Sequence, residues 1–545
     1  MFGFDSLPTN SEHEHGAPAI EETDGDGQQH DEQQQQLQQQ QPRRLRRELG
    51  ITSALAVVAG IMVGSGIFSS PGVVLRHAPS GALTLFAFVL SGALVATTSL
   101  CYFELHSMFP GDAGGDYRYL QEAYGNRAAF AFATFNFFIS KTGSQAIIAS
   151  VFGLYTTEIF RFIVSPSDFV PSLITAPVGR GETALPKVLA VLLVCVSTTI
   201  NCASVSESAM LQKILTTTKI CAIMILSLLS VGVCYLGWGV PSATGASVMA
   251  ENAFHAKGQP SFLGFGSAVV ACLWAYDGWA DLLFLTEELK DPQQLPFVTL
   301  TAIFMVTLAY VFLMSAYLLL LSPQQIVDST AIGATYGSVL AERLGLMPSS
   351  LLAVGVAAVV AVSTCSSCHG SILTGARNYY AVARDGKFPS PLSRITASGV
   401  PANALLAQGA WTVTLLLLPS SSFASLLDYF GPTSWAFYGL GSAAVVVLRR
   451  QERRAPAPFQ MPLYPLPPIL ATFSAAAIVI SSLARAPMYT ILAFTIVSLS
   501  LPIHYFLFER PLGGAVASHD DAPEESPEVS KGQELVASMP LSTDA

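Results

Sequence analysis

The chain has 545 residues, of which 51% are hydrophobic and only 12% charged, and its mean hydropathy is +0.49. Soluble domains carry about 25% charged residues, so this composition excludes an ordinary soluble enzyme or binding domain and points to a polytopic helical membrane protein. The formal net charge of −10 reflects acids crowded into the two tails, and the basic residues flank apolar segments, so nothing supports nucleic-acid binding.

Residues 1–42 are polar and acidic and end in a Gln-rich run, Gln33 to Gln41, so they form an expected disordered tail. A polar stretch of that length before the first apolar run argues against a cleavable signal peptide. Arg43, Arg44, Arg46 and Arg47 then precede the first span and place the N-terminus in the cytosol by the positive-inside bias. Residues 43–510 read as twelve spans, at 49–75, 81–108, 128–162, 186–204, 209–236, 263–286, 297–321, 350–380, 402–418, 423–448, 467–485 and 488–508. The connections assigned to the cytosol hold most of the Lys and Arg, including Arg449, Arg450, Arg453 and Arg454. The opposite connections hold only Arg76, Arg161, Arg180, Lys187, Lys257, Arg343 and Arg485, which supports both termini being cytosolic. Residues 511–545 are again acidic and aperiodic, a second expected disordered tail. All eight cysteines lie within or at the ends of apolar segments, unlike a secreted disulfide framework.

Span 1 contains Val63-Gly64-Ser65-Gly66-Ile67-Phe68 at its centre, residues poorly suited to keeping a helix wound. A helix that opens at membrane depth strands N–H and C=O groups, which hydrocarbon cannot satisfy; protein, water or a bound solute must. Span 6 has a similar centre, Trp274-Ala275-Tyr276-Asp277-Gly278-Trp279-Ala280-Asp281. Two interruptions five spans apart, at the first position of consecutive five-span blocks, point to an inverted-repeat transporter with its site between them. Alone, either segment reads equally as glycine packing between helices. Together, with aspartates at the second break, they read as a binding site for a zwitterion.

Several segments in order resemble the L-type amino acid transporters of the amino acid–polyamine–organocation superfamily. They are Gly64-Ser65-Gly66-Ile67-Phe68-Ser69-Ser70-Pro71, Gly114-Gly115-Asp116-Tyr117 with Glu122-Ala123-Tyr124-Gly125, and Ile200-Asn201-Cys202-Ala203-Ser204-Val205. Ala275-Tyr276-Asp277-Gly278-Trp279, Thr286-Glu287-Glu288-Leu289, Gly375-Ala376-Arg377 and Ala383-Arg384-Asp385-Gly386-Lys387-Phe388-Pro389 follow. The tails and spans 11 and 12 are covered only by hydropathy.

The resemblance implies an all-α, five-plus-five inverted-repeat fold that binds L-amino acids between broken spans 1 and 6. N–H groups at Ser65, Gly66 and Ile67, beside Gly64, would hold the carboxylate at the positive end of a half-helix. Free carbonyls near Ile61 and Trp274 would take the ammonium, and Trp274 would stand as an aromatic gate. Asp277, beside Gly278, implies a pocket for neutral side chains that also takes Lys or Arg; the bland reading is a carboxylate capping a half-helix. Asp281 is expected to face the cytosolic vestibule. Lys219, inside span 5, resembles a built-in replacement for a sodium ion, against the alternative of a Lys snorkelling to the interface. Lys141 either pairs with Asp277 or lines the cavity beside Ser144 and Gln145.

The chain also departs from the family. Animal members join a heavy-chain glycoprotein through a Cys between spans 3 and 4, and the loop Val164 to Leu185 has none, so no disulfide-linked heavy chain is expected. Ala280 and Ser434 stand where some relatives place a pocket Asn. Other chemistries compete with this reading. Cys365-Ser366-Ser367-Cys368-His369 fits a C-x-x-C-H haem-attachment pattern and keeps open a membrane redox protein; small residues packing near span 1 is the alternative. No metal-ligand spacing or phosphate-cradling loop occurs, so no cofactor and no nucleotide energy source is expected. A non-transporting amino acid sensor would need the same broken spans. The reading is therefore a sodium-independent facilitator or exchanger of L-amino acids, not an enzyme, embedded in the lipid bilayer of the plasma membrane.

Overall fold

The computed structural model describes residues 47, 49–109, 114–163, 177–178, 182–235, 238, 261–346, 348–418, 423–451 and 457–509. The tails 1–42 and 511–545, and most of the loop between spans 3 and 4, lie outside the described residues. What is described is almost wholly helical, apart from a two-residue ribbon pairing Pro177–Val178 with Glu182–Thr183.

Among the described residues, nine helical stretches are long and apolar enough to cross a membrane. The shorter apolar helices Gly264–Ala275 and Ala402–Leu417, with Phe423–Arg449, complete the twelve expected spans. The helix ends follow hydropathy closely: span 2 is Gly81–Met108, span 8 Ser350–Arg384 and span 11 Leu466–Arg485. Three helices between spans escaped the sequence reading. Asp116–Tyr124 precedes span 3, while Pro323–Asp328 and Ile332–Leu344 join span 7 to span 8. Span 3 itself runs Asn126–Phe135, a π turn at Asn136–Ser140, then Lys141–Ile163.

The packing repeats when five is added to each span number. Span 1 packs on spans 5 and 7, and span 6 packs on spans 10 and 2. Span 5 lies on spans 7 and 8, and span 10 lies on spans 2 and 3; spans 3–4 correspond to 8–9, and 3–9 to 8–4. A block of five spans ends on the opposite side of the bundle from where it began, so the second block runs inverted relative to the first. Spans 11 and 12 lie outside this pattern, packed against spans 10 and 3.

Both broken spans are interrupted where their sequences predict. Span 1 is Ile51–Met62, then a non-helical step to Gly66–Ser69 and Pro71–His77. Span 6 is Phe262–Ala275, then turns, then a 3-10 helix at Asp281–Glu288. Leu49 and Leu289 pair as a short parallel bridge, with the Leu49 N–H donating to the Glu288 carbonyl at 3.0 Å and the Lys290 N–H to the Leu49 carbonyl at 3.0 Å. The start of span 1 is thereby fastened to the end of span 6. On the opposite side, Pro323–Asp328 covers Pro71–His77, and the Tyr155 hydroxyl donates to the Phe68 carbonyl at 3.4 Å while accepting the Gly333 N–H at 3.2 Å.

Candidate functional site

The two breaks meet in the middle of the bundle. A Cβ on Gly66 would run into the backbone of Ala275, and one on Gly278 would run into the Ile61 side chain. Gly278 also has φ +100, a left-handed conformation that costs other residues strain. Close approach at both points sets the opened main chain of one span against that of the other. Gly64 is crowded in the same way by Ser367 of span 8.

The main-chain groups freed by the breaks have been claimed by side chains. The Lys219 ammonium donates to the carbonyls of Gly60 at 2.5 Å and Val63 at 2.6 Å on span 1, and of Ser363 at 3.3 Å on span 8. Lys219 is fully buried, which settles its position: it does not snorkel. The Ser363 hydroxyl adds a second bond to the Val63 carbonyl at 2.8 Å, and the Ser367 hydroxyl donates to Ile61. Tyr310 of span 7 places its hydroxyl 2.5 Å from the Met62 carbonyl and 2.6 Å from that of Ala275. A phenol has one proton, so it serves the two carbonyl ends one at a time.

This corrects the expectation of free carbonyls at Ile61 and Trp274. Ile61 accepts from Ser367, and the Trp274 carbonyl accepts the Asp277 N–H at 3.0 Å, because a helix end without solvent satisfies itself with turns and neighbouring hydroxyls. Of the two carbonyls that share the Tyr310 proton, Met62 also accepts the Gly64 N–H at 2.8 Å, so Ala275 is the one that depends on Tyr310. At the other pole of the break, Ser65, Gly66 and Ile67 are buried and open the second half of span 1, where a helix leaves its first N–H groups without intrahelical partners.

Asp277 does reach Ser144, whose hydroxyl donates to its carboxylate at 3.2 Å. Asp281 does not face a vestibule. It is 2% exposed, ion-paired with Lys141, and accepts the Thr374 hydroxyl at 2.7 Å. An intramembrane carboxylate and ammonium lose their hydration together, so they find each other across spans 3 and 6. Lys141 therefore pairs with Asp281 and not with Asp277. Gln145 turns away from the pocket to span 8, donating to the Ser371 carbonyl at 3.1 Å.

Trp274 is 6% exposed, with its ring edge-on to Phe430 of span 10 at 5.0 Å between centroids. A narrow crevice lies there, lined by Val270, Trp274, Asp277, Phe430, Ser434 and Tyr438. Ala280 is buried and is not among the residues that line it.

Charges outside the pocket form structural ties. Arg377 meets Glu288 at 2.8 Å with both side chains fully buried, Arg384 meets Glu287 at 3.2 Å, and Arg449 pairs with Glu104. The Cys365–His369 segment is continuous helix in span 8, with Cys368 and His369 packed in the core and the Asn201 amide donating to the His369 carbonyl at 3.1 Å. That packing leaves no slot for a porphyrin beside either residue, so the residues present do not fit a haem. Among the described residues no three His, Cys, Asp or Glu side chains are placed to hold a metal ion.

Tyr310, Ser363 and Ser367 were missed by sequence reasoning. The serines stood in the small-residue run of span 8, which read as packing. Tyr310 carried no signal, since an aromatic in an apolar span reads as core.

Comparison with known proteins bears on the same region. The profile of the family described as amino acid permease matches residues 49–501. The large neutral amino acids transporter small subunit 2 of Rattus norvegicus is 32% identical over 467 residues, covering 85% of this chain and 80% of the relative. The b(0,+)-type amino acid transporter 1 of Mus musculus is 30% identical over 493 residues, covering 90% of this chain and 93% of the relative.

Proposed function

The chain belongs to the amino acid permease family, a family of integral membrane transporters and not of enzymes, and from that premise we propose that it carries L-amino acids across a membrane by alternating access. The single observation that supports this most is the meeting of two opened helices at Gly66–Ala275 and Ile61–Gly278. There the N–H groups of Ser65, Gly66 and Ile67 receive a carboxylate, and the carbonyl of Ala275, which shares the Tyr310 proton with Met62, receives an ammonium.

The substrates are neutral amino acids and, through Asp277 and Ser144, cationic ones as well. The names of the relatives, one for large neutral amino acids and one of b(0,+) type, agree with a neutral substrate class. Transport is sodium-independent, because the Lys219 ammonium occupies the carbonyl cluster that an ion would otherwise fill. Trp274 against Phe430 is the gate on one side. The Leu49–Leu289 bridge is the closure on the other. Each must open in turn for exchange. The protein resides in the plasma membrane with both termini cytosolic, and it works without a disulfide-linked heavy chain.

Uptake of labelled leucine and lysine into proteoliposomes, with and without sodium and with unlabelled amino acid inside, tests this reading. Accumulation driven by internal amino acid and indifferent to sodium is the expected result. Binding without accumulation would make the protein a sensor and overturn the proposal.

A further inference from the structure

Two polar rungs join span 3 to the opened segment of span 6. In one, the Lys141 ammonium pairs with the Asp281 carboxylate. In the other, the Ser144 hydroxyl donates to the Asp277 carboxylate at 3.2 Å. Lys141 and Ser144 lie within a turn of each other in the helix Lys141–Ile163, as Asp277 and Asp281 do along the break in span 6.

The rungs are unequal in charge. Asp281 is 2% exposed and is met by an ammonium and by the Thr374 hydroxyl at 2.7 Å. Asp277 is met by a neutral hydroxyl, and it is the charged residue among those lining the crevice beside Trp274 and Tyr438. One ammonium thus stands between two carboxylates, and the one it takes decides what the crevice offers a guest.

Lys141 has both within its range. Residues three apart on a helix lie about 5–6 Å from each other at Cβ, a distance that the flexible four-carbon stem of lysine spans. The Lys141 charge also acts on Asp277 from where it now rests. It is held at Asp281 from a further side: the ring of Phe284, past Asp281 along the chain and away from Asp277, lies 5.8 Å from the ammonium. A buried ammonium deprived of its carboxylate takes the next acceptor in range rather than stay unpaired. For Lys141 that acceptor is Asp277.

We propose that Asp281 is a positioning residue for substrate choice: by holding the Lys141 ammonium it keeps that cation off Asp277, and so leaves Asp277 open to the side-chain cation of a basic amino acid. A neutral guest makes no use of the vacancy. This rests on the amino acid transport reading with Asp277 as the contact for basic side chains, and names what keeps that contact available.

Binding of labelled lysine and labelled leucine to the detergent-purified full chain tests it. In Asp281→Asn the freed Lys141 should turn to Asp277, and lysine affinity should fall roughly ten- to a hundredfold while leucine affinity stays within about threefold. Adding Lys141→Met to Asp281→Asn removes the competing cation, and lysine affinity should return to the wild-type value or above it. Asp281→Glu, which keeps a carboxylate for Lys141, should bind both amino acids like the wild type. A purely structural Asp281 would weaken lysine and leucine alike, with no recovery of lysine in the double variant; that result overturns the proposal, as does unchanged lysine binding in Asp281→Asn. If Asp281→Asn does not fold, the double variant decides, since removing both partners of a buried pair leaves no charge stranded. Lysine bound at least as well as by the wild type, with leucine kept, supports the proposal; lysine lost with leucine kept overturns it. A wild type that binds leucine but not lysine overturns it too and leaves neutral transport standing. Binding of neither sinks the transport reading, and this proposal with it.

Discussion

The Lys219 ammonium lies 2.6 Å from the Val63 carbonyl, inside the break of span 1. The same nitrogen reaches Gly60 and Ser363, so one side chain fastens spans 1, 5 and 8 at the depth where span 1 is unwound. Lys219→Met keeps the apolar stem and removes the donor. Each buried carbonyl then left short costs about 1–3 kcal/mol. The expected result is a lower melting temperature in detergent and a loss of most leucine uptake. If the ammonium stands in for an ion, sodium should have no effect on the wild type. Full activity of Lys219→Met in sodium-free medium would contradict that role.

Gly66 faces Ala275 so closely that a side chain has nowhere to go. Gly66→Val should force the two opened spans apart and fill the space in front of the second half of span 1. Leucine binding should fall by more than about tenfold, which corresponds to 1.4 kcal/mol or more. Gly355, also in a span but with nothing near its Cβ, is the control: Gly355→Ala should bind leucine normally. A scintillation proximity assay on both variants separates local crowding from general damage to membrane helices.

The twelve spans and both interruptions were legible because hydropathy and helix-breaking residues are local properties. Gly64-Ser65-Gly66 and Asp277-Gly278 mark their own breaks. What lay beyond the sequence was which side chains would answer the opened main chain. Ser363 and Lys219 serve carbonyls in a different span, 300 and 156 residues away, and Tyr310 serves Met62 from 248 residues away. Asp281 was misplaced for a related reason. Its partner Lys141 is 140 residues distant, and a carboxylate seen alone is expected to seek water when it has in fact found a cation.

Tyr310 donates to the carbonyl ends of both span 1 and span 6, one at a time. Tyr310→Phe removes a hydrogen bond worth about 0.5–1.5 kcal/mol in the empty protein, a modest loss of stability. Substrate affinity should respond differently, because both carbonyls become available to the ammonium of the guest while the two spans lose their tie. Transport should drop more than binding, since the tie couples the movement of the spans. Equal losses in a binding assay and an exchange assay would argue that Tyr310 only packs.

Asp277 is positioned to discriminate between substrates by charge. It lines the crevice with Trp274 and Tyr438, and its carboxylate takes the Ser144 hydroxyl at 3.2 Å, leaving acceptor capacity toward a guest. Hydrogen bonds to charged groups contribute about 1.5–3 kcal/mol, so Asp277→Asn should weaken lysine by roughly ten- to a hundredfold. Leucine presents no cation to that carboxylate and should lose little, since Asn keeps the shape and still accepts from Ser144. Competition of labelled leucine uptake by unlabelled lysine, compared between wild type and variant, reads the difference directly. If both substrates weaken alike, Asp277 shapes the break in span 6 and does not read the side chain.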